Sequence, residues 1–330
     1  MNKKGTLLSI VLPIYNEEGN IAEIINRIDK ILVENNIKYE IILIDDGSSD
    51  NSWANIELFT KSKTNIRGYR FSRNFGKEAA IFAGLEVAKG DAAVVMDSDL
   101  QHPPEVIIEM YERWINKKPD IVSGVKVSRG SESKIYKICS KCFYSILYKL
   151  SGLDLRNGSD FKLLDRKVID IINSMPEKET FFRAMCMWVG FKNEEVEFKV
   201  SDRLTGNRKW TKIKLIKYAV NGITQYTSYP LYWITYIGII SIIVTIILGI
   251  NTIYNKICGN ALAGFTTVIL ITLFIGGILM ISLGIIGQYL ALIYNEIKGR
   301  PKYIISERCE VDKTKEVNDE IHKERIQIYK

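Results

Sequence analysis

Two stretches, residues 229–250 and 262–293, contain no Asp, Glu, Lys or Arg. About 20 apolar residues carry a helix across the hydrocarbon core of a bilayer, so each stretch is long enough for one crossing. Two such runs in succession do not fit the core of a soluble domain in a chain of 330 residues. Tyr226, Tyr229, Tyr232 and Trp233 open the first run, where amphipathic rings mark a membrane–water boundary. The link at 251–261 carries only Lys256, whereas Lys212, Lys214 and Lys217 precede the pair and Lys298, Arg300 and Lys302 follow it. The positive-inside bias then places both chain ends in the cytoplasm and the link outside a cell membrane. Met1-Asn-Lys-Lys4 leads almost directly into a strand and a polar turn, which is not the pattern of a secretory signal. The expected division is a cytosolic domain over 1–210, an amphipathic juxtamembrane segment over 211–228, two transmembrane helices within 229–293 and a charged cytosolic tail over 294–330.

The first two hundred residues alternate strand and helix signals. Residues 7–14 and 39–44 are apolar runs of strand length, and 66–71 and 92–96 follow the same pattern. Between them, Ile21, Ile24, Ile25, Ile28, Ile31 and Leu32 share one helical face, and helices are also expected over 77–88 and 104–116. This alternation predicts an α/β fold with a mostly parallel, Rossmann-like sheet covered on both faces. Ligands in such sheets bind beyond the carboxyl ends of the strands. Tyr15-Asn-Glu17, Asp45-Asp46 and Asp97-Ser-Asp99 all fall at that edge.

Asp97 and Asp99 end an apolar run, and a pair of carboxylates at a strand mouth suits a hard divalent cation, Mg2+ or Mn2+, completed by substrate phosphates. The expected ligand is therefore phosphorylated or nucleotide-activated. Other readings lose their markers. No Gly-x-Gly-x-x-Gly follows the first strand, and Gly68 and Gly76-Lys77 do not make a phosphate-cradling P-loop. No Gly-x-Ser-x-Gly elbow is present. Two histidines exclude a His-rich zinc centre. Five cysteines, with Cys139-Ser-Lys-Cys142 lacking a second pair, do not make a disulfide framework or a metal site. The formal charge of +7 fits anionic substrates and lipids and gives no reason to expect nucleic acid.

Val11-Leu-Pro-Ile-Tyr-Asn-Glu17, Ile44-Asp-Asp-Gly-Ser-Ser-Asp50, Ser72-Arg-Asn-Phe-Gly-Lys77, Asp97-Ser-Asp-Leu-Gln-His-Pro-Pro104 and Gly158-Ser-Asp-Phe161 occur in this order. Together they resemble the inverting family 2 glycosyltransferases of the GT-A fold, and within them the polyprenyl-phosphate glycosyltransferases. The resemblance runs from about residue 7 to residue 304 and includes the membrane pair. It implies that Pro13, Tyr15, Glu17, Asp45, Lys77, Asp97, Ser98 and Gln101 line the nucleotide-sugar site, and that Asp97, Asp99 and Gln101 surround the metal. It further implies catalytic roles for Asp99 and for Asp160, the candidate base, which would either take the last proton of the acceptor or only orient it. Arg129, Arg203 and Lys209 would face the acceptor phosphate.

The implied reaction moves one sugar, UDP-glucose being the favoured donor, to polyprenyl (undecaprenyl) phosphate at the cytoplasmic face, with inversion. Membrane lipids, a separate flippase, a downstream glycosyltransferase and further copies of this chain are the implied partners. Two other classes compete. A processive polysaccharide synthase shares the early motifs, but Arg208-Lys-Trp210 lacks the Gln of a Gln-x-x-Arg-Trp element. A non-catalytic membrane adaptor on a decayed transferase fold would be expected to lose carboxylates that are all present here.

Overall fold

The computed structural model describes residues 5–126, 158–177, 181–199, 229–258 and 264–310. Arg129, Arg203, Lys209, Cys139, Cys142, Arg208-Lys-Trp210 and the segment at 211–228 lie outside the described residues.

Eight strands, β1 (Leu7–Ile14), β2 (Lys38–Asp45), β3 (Ile66–Phe71), β4 (Ala92–Val95), β5 (Ile121–Lys126), β6 (Gly158–Asp165), β7 (Asn193–Phe198) and β8 (Ile305–Cys309), form one sheet in the order β7-β5-β6-β4-β1-β2-β3-β8. The helices α1 (Ile21–Glu34), α2 (Ser52–Ser62), α3 (Lys77–Val87), α4 (Val106–Lys117), α5 (Arg166–Ser174) and α6 (Phe182–Trp188) belong to the same unit. The central strands are apolar on both faces because both faces are covered. Leu8, Ile10 and Leu12 of β1 join a core layer with Ile21, Ile24, Ile25 and Ile28 of α1 and Trp114 of α4. Val11, one residue out of phase, joins the opposite layer with Ala80, Ile81 and Ala83 of α3, as the two-residue side-chain period of a strand requires.

β1 to β4 follow the expected parallel pattern, but three of the seven pairings among the described residues are antiparallel: β4 with β6, β5 with β6, and β3 with β8. The sheet is thus mixed. The insertion of β6 beside β4 matters for the site, because Val95 lies opposite Lys162. Continuing that register two residues brings Asp97 level with Asp160.

Residues 294–330, expected to be only a charged tail, contribute β8 to the sheet. The strand pattern there is short and polar, and β8 is an edge strand that needs only one apolar side. Tyr303, just before it, stacks on Phe71 with ring centroids 5.0 Å apart.

The second unit contains α7 (Tyr229–Ile257) and α8 (Phe265–Ile297). Both are long and apolar enough to cross a membrane, and Ile240, Ile242, Ile247, Phe274 and Met280 are exposed on them. Such a continuous apolar exterior does not suit water. The connection expected over 251–261 is shorter, because α7 continues through Lys256 to Ile257.

Candidate active site

The carboxyl ends of β1, β2 and β4 are tied together by hydrogen bonds between their loops. The amide of Asn16, held at φ 54°, donates to Ser48 Oγ at 2.9 Å, and the amide of Glu17 donates to Ser52 Oγ at 3.0 Å. Ser98 Oγ donates to the Pro13 carbonyl at 3.1 Å. Pro13 and Ser98 are therefore buried supports of the cleft, whereas Tyr15, 48 % exposed, is on its open side. Asp46 is a loop fastener too: its carboxylate accepts the amides of Phe75 and Gly76 at 2.6 and 2.9 Å. That contact fixes the turn into α3, on which Lys77 stands. Gly47 has φ +69°, and a Cβ there would lie 2.6 Å from the Arg73 carbonyl carbon, so this crossing of loops requires glycine.

Asp45 ends β2 fully buried. Its Oδ1 accepts the Ser48 amide at 3.1 Å, while Oδ2 lies 3.3 Å from Arg70 Nε and accepts no well-directed hydrogen bond. Burial pushes its carboxyl up, and Ser48 and Arg70 counter this. A buried acceptor with spare capacity needs a donor, and a base N–H or ribose hydroxyl is such a donor.

On the other side of β1, Lys77 Nζ lies 2.6 Å from Asp97 Oδ1 and 2.5 Å from Asp160 Oδ2. Arg183, on α6, completes the cluster with Nε 2.5 Å from Asp160 Oδ1 and Nη2 3.1 Å from Oδ2. Burial alone would raise the Asp160 carboxyl, but Lys77 and Arg183 outweigh it and hold the group far below the usual carboxylate range. Asp97 behaves likewise, with Lys77 and then His102 overcoming burial. An acid so firmly ionised and gripped on both oxygens is a poor proton acceptor. It is well suited to fix the position of a partner.

The Asp97-Ser-Asp99 loop is shaped from below. His102 is buried, accepts the Asp97 amide on Nδ1 at 3.3 Å and stacks on Phe161 at 5.1 Å. Burial pushes its imidazole pKa down, and the Asp97 charge counters this. Leu100 has φ 59°, a left-handed conformation that costs a non-glycine residue about 1–2 kcal/mol, and Asp99 Oδ1 accepts the Gln101 amide at 3.1 Å across the turn. Lys126, at the end of β5, faces the same two carboxylates.

Asp97, Asp99 and the side-chain carbonyl of Gln101 offer hard oxygen donors of the kind that Mg2+ and Mn2+ take. Among the described residues no group of three His, Cys, Asp or Glu side chains could hold a metal ion. Two carboxylates thus fit an ion whose remaining positions are filled by a diphosphate and water, and do not fit an all-protein cage.

Arg183, Arg70 and Lys126 were not singled out from the sequence. The available signals were a guanidinium within the apolar run Phe181-Phe-Arg-Ala-Met-Cys-Met-Trp188 and charges within β3 and β5. A charge in an apolar element invites the question of what it pairs with.

A mixed α/β sheet with acidic loops at the carboxyl ends of β2 and β4 is the architecture of the GT-A fold. The "Glycosyl transferase family 2" model matches residues 9–170. A prophage bactoprenol glucosyl transferase homolog of Escherichia coli is 36% identical over 300 residues, 90% of this chain and 98% of that protein. The bactoprenol glucosyl transferase of Shigella phage SfII is 34% identical over 300 residues, 90% and 97% of the two chains. Among solved structures, glucosyl-3-phosphoglycerate synthase from Mycobacterium tuberculosis, in complex with Mn2+, UDP-glucose and phosphoglyceric acid, aligns with a TM-score of 0.50 at 20% identity, covering 67% of this chain and 78% of that one. This chain belongs to glycosyl transferase family 2.

Proposed function

We propose that this protein transfers a single sugar, glucose from UDP-glucose, to polyprenyl phosphate at the cytoplasmic face of a cell membrane, inverting the anomeric centre. The observation that carries the reading is the clustering of Asp97, Lys77, Asp160 and Arg183 at the carboxyl edge of the sheet. Its support is a likeness to bactoprenol glucosyl transferases that covers 90% of the chain, and two helices fit to cross a bilayer.

Asp45 accepts from the base or ribose. Lys77 brings positive charge between the donor side, at Asp97, and the acceptor side, at Asp160. Asp97 and Asp99, with Gln101, would hold Mg2+ or Mn2+, which when bound neutralises the diphosphate leaving group. A phosphate monoester has a second pKa of about 6, so the acceptor oxygen is already ionised near neutral pH and needs no strong base. Asp160, an anion like the acceptor, therefore orients it through the cations it holds, Lys77 and Arg183. Arg129, Arg203 and Lys209 supply the cations that hold the lipid phosphate. The product, a polyprenyl-phosphate sugar, would leave through a separate flippase to a downstream glycosyltransferase.

The test is transfer by the purified full-length protein in detergent, with undecaprenyl phosphate and a panel of labelled UDP and GDP sugars, with and without chelator. Labelled lipid from UDP-glucose, abolished by chelator and restored by Mg2+ or Mn2+, is the expected result. Labelled lipid from another donor alone would overturn the choice of sugar, long polymer would favour the synthase class, and full transfer in excess chelator would remove the metal.

A further inference from the structure

The strand that follows the membrane helices reaches the nucleotide side of the site through one arginine. Arg70 of β3 and Glu307 of β8 are direct cross-strand partners, with Arg70 Nη1 2.9 Å from Glu307 Oε1. The other carboxylate oxygen of Glu307 accepts from Trp53 Nε1 at 3.1 Å. Arg70 Nη2 donates to the Ser48 carbonyl at 3.3 Å, and its guanidinium carbon lies 5.8 Å from the Trp53 ring centroid. Only Nε is left to face Asp45 Oδ2, at 3.3 Å and without a directed hydrogen bond.

A free guanidinium beside a carboxylate forms the two-pronged pair that its planar fork favours. Here one prong is held by Glu307 and the other by the Ser48 carbonyl, so Arg70 lends charge to Asp45 without occupying Oδ2. We propose that Glu307 is a positioning residue for nucleotide binding: by restraining Arg70 it leaves Asp45 Oδ2, buried and without a hydrogen-bond donor in the unliganded protein, unpaired and able to accept from the base or ribose once the nucleotide displaces what covers it. The inference rests on the reading of Asp45 as a nucleotide-binding group. It assigns a role in the donor site to a residue that lies outside the family-model match at 9–170 and beyond both apolar helices in the chain.

Losing Glu307 lets Arg70 close on Asp45 and compete with the ligand. Glu307 is 46 % exposed, and half-exposed ion pairs are worth up to about 1 kcal/mol, which converts to roughly fivefold in affinity. Calorimetric titration of UDP with Mn2+ into the full-length protein is the test. Glu307→Ala should weaken UDP binding about three- to fivefold and raise the KM for donor with kcat unchanged. Glu307→Gln, which keeps the shape and an acceptor for Trp53, should weaken it about twofold, so a misfolded Ala variant does not remove the test. In an Arg70→Ala background, Glu307→Ala should have no further effect. Unchanged UDP affinity in both Glu307 variants, or an equal loss in the Arg70→Ala background, would overturn the relay. Asp45→Asn separates the two layers: a large loss of UDP affinity there, with no effect at Glu307, sinks the relay alone, whereas no loss there sinks the nucleotide-site reading and the relay with it.

Discussion

Glu78 provides a test of how the acidic cluster is balanced. It stands in the first turn of α3 next to Lys77, and its Oε2 accepts the Phe182 amide at 2.8 Å, at the start of the helix that carries Arg183. Burial pushes its carboxyl up, the Asp160 charge adds to the effect, and Phe182, Lys77 and Arg183 pull against it, leaving the group at about 7 in place of 4.5. The folded protein therefore keeps a proton on Glu78 that the unfolded chain has already released. Stability falls as pH rises wherever the folded state binds more protons than the unfolded one, so Glu78 destabilises progressively from about pH 4.5 to about pH 7 and evenly above that. This is the reverse of a salt-bridged carboxylate. At 1.36 kcal/mol per pKa unit, the full shift amounts to about 3 kcal/mol. Glu78→Gln keeps an acceptor for the Phe182 amide and removes the titration. Thermal unfolding followed by tryptophan fluorescence at pH 5, 6, 7 and 8 should show the variant gaining on the wild type by several degrees between pH 5 and pH 7, at about 2–4 °C per kcal/mol. A difference between the two proteins that stays constant across this range would refute the reasoning.

Two further outcomes follow from the site and from the chain's polarity. Because Asp160 is held ionised by Lys77 and Arg183, transfer should rise with pH through about 6, the second ionisation of the lipid phosphate. Asp160→Asn should then lower the plateau by roughly tenfold or more, the cost of a charged hydrogen-bonding partner, without moving that inflection; a shifted or lost inflection would make Asp160 the base. Because positive charge flanks the apolar pair, a membrane-impermeant thiol reagent applied to intact cells, on a background without native cysteines, should label Asn255→Cys and spare Lys298→Cys, and the reverse labelling would refute the orientation.

The parts legible in the sequence are those with local signals. The β1 and β2 runs are apolar throughout, and the helical face of α1 is written in its isoleucines, of which Ile21, Ile24, Ile25 and Ile28 are buried. The carboxyl-edge loops could be placed at once because parallel strands put their ends together. The site's second half was not legible in that way. Asp97 and Asp160 meet through an antiparallel register between β4 and β6, and a pairing between strands so far apart in sequence leaves no local mark on either. Arg183 arrives from α6, a helix of 7 residues, too short for periodicity to reveal. Ser98 and Asp46 show the converse: polar residues of these motifs also hold backbone, a use that only the hydrogen-bond partners reveal. β8 was missed because an edge strand with alternating charges has the composition of a tail.

β8 also changes what the apolar helices are in this chain. They lie in sequence between β7 and β8, two strands of one sheet, so they are an insertion into the folded domain and not an anchor appended to its end. A chain that leaves a domain, crosses a bilayer and returns to the same domain must cross an even number of times. Two helices with a short link between Ile257 and Phe265 satisfy that condition, and a single crossing would strand β8 on the wrong side of the membrane from β3. The pairing of Arg70 with Glu307 therefore bears on topology as well as on nucleotide binding: were the two helices to cross a membrane, β3 and β8 could pair only if the chain returned to the face it had left.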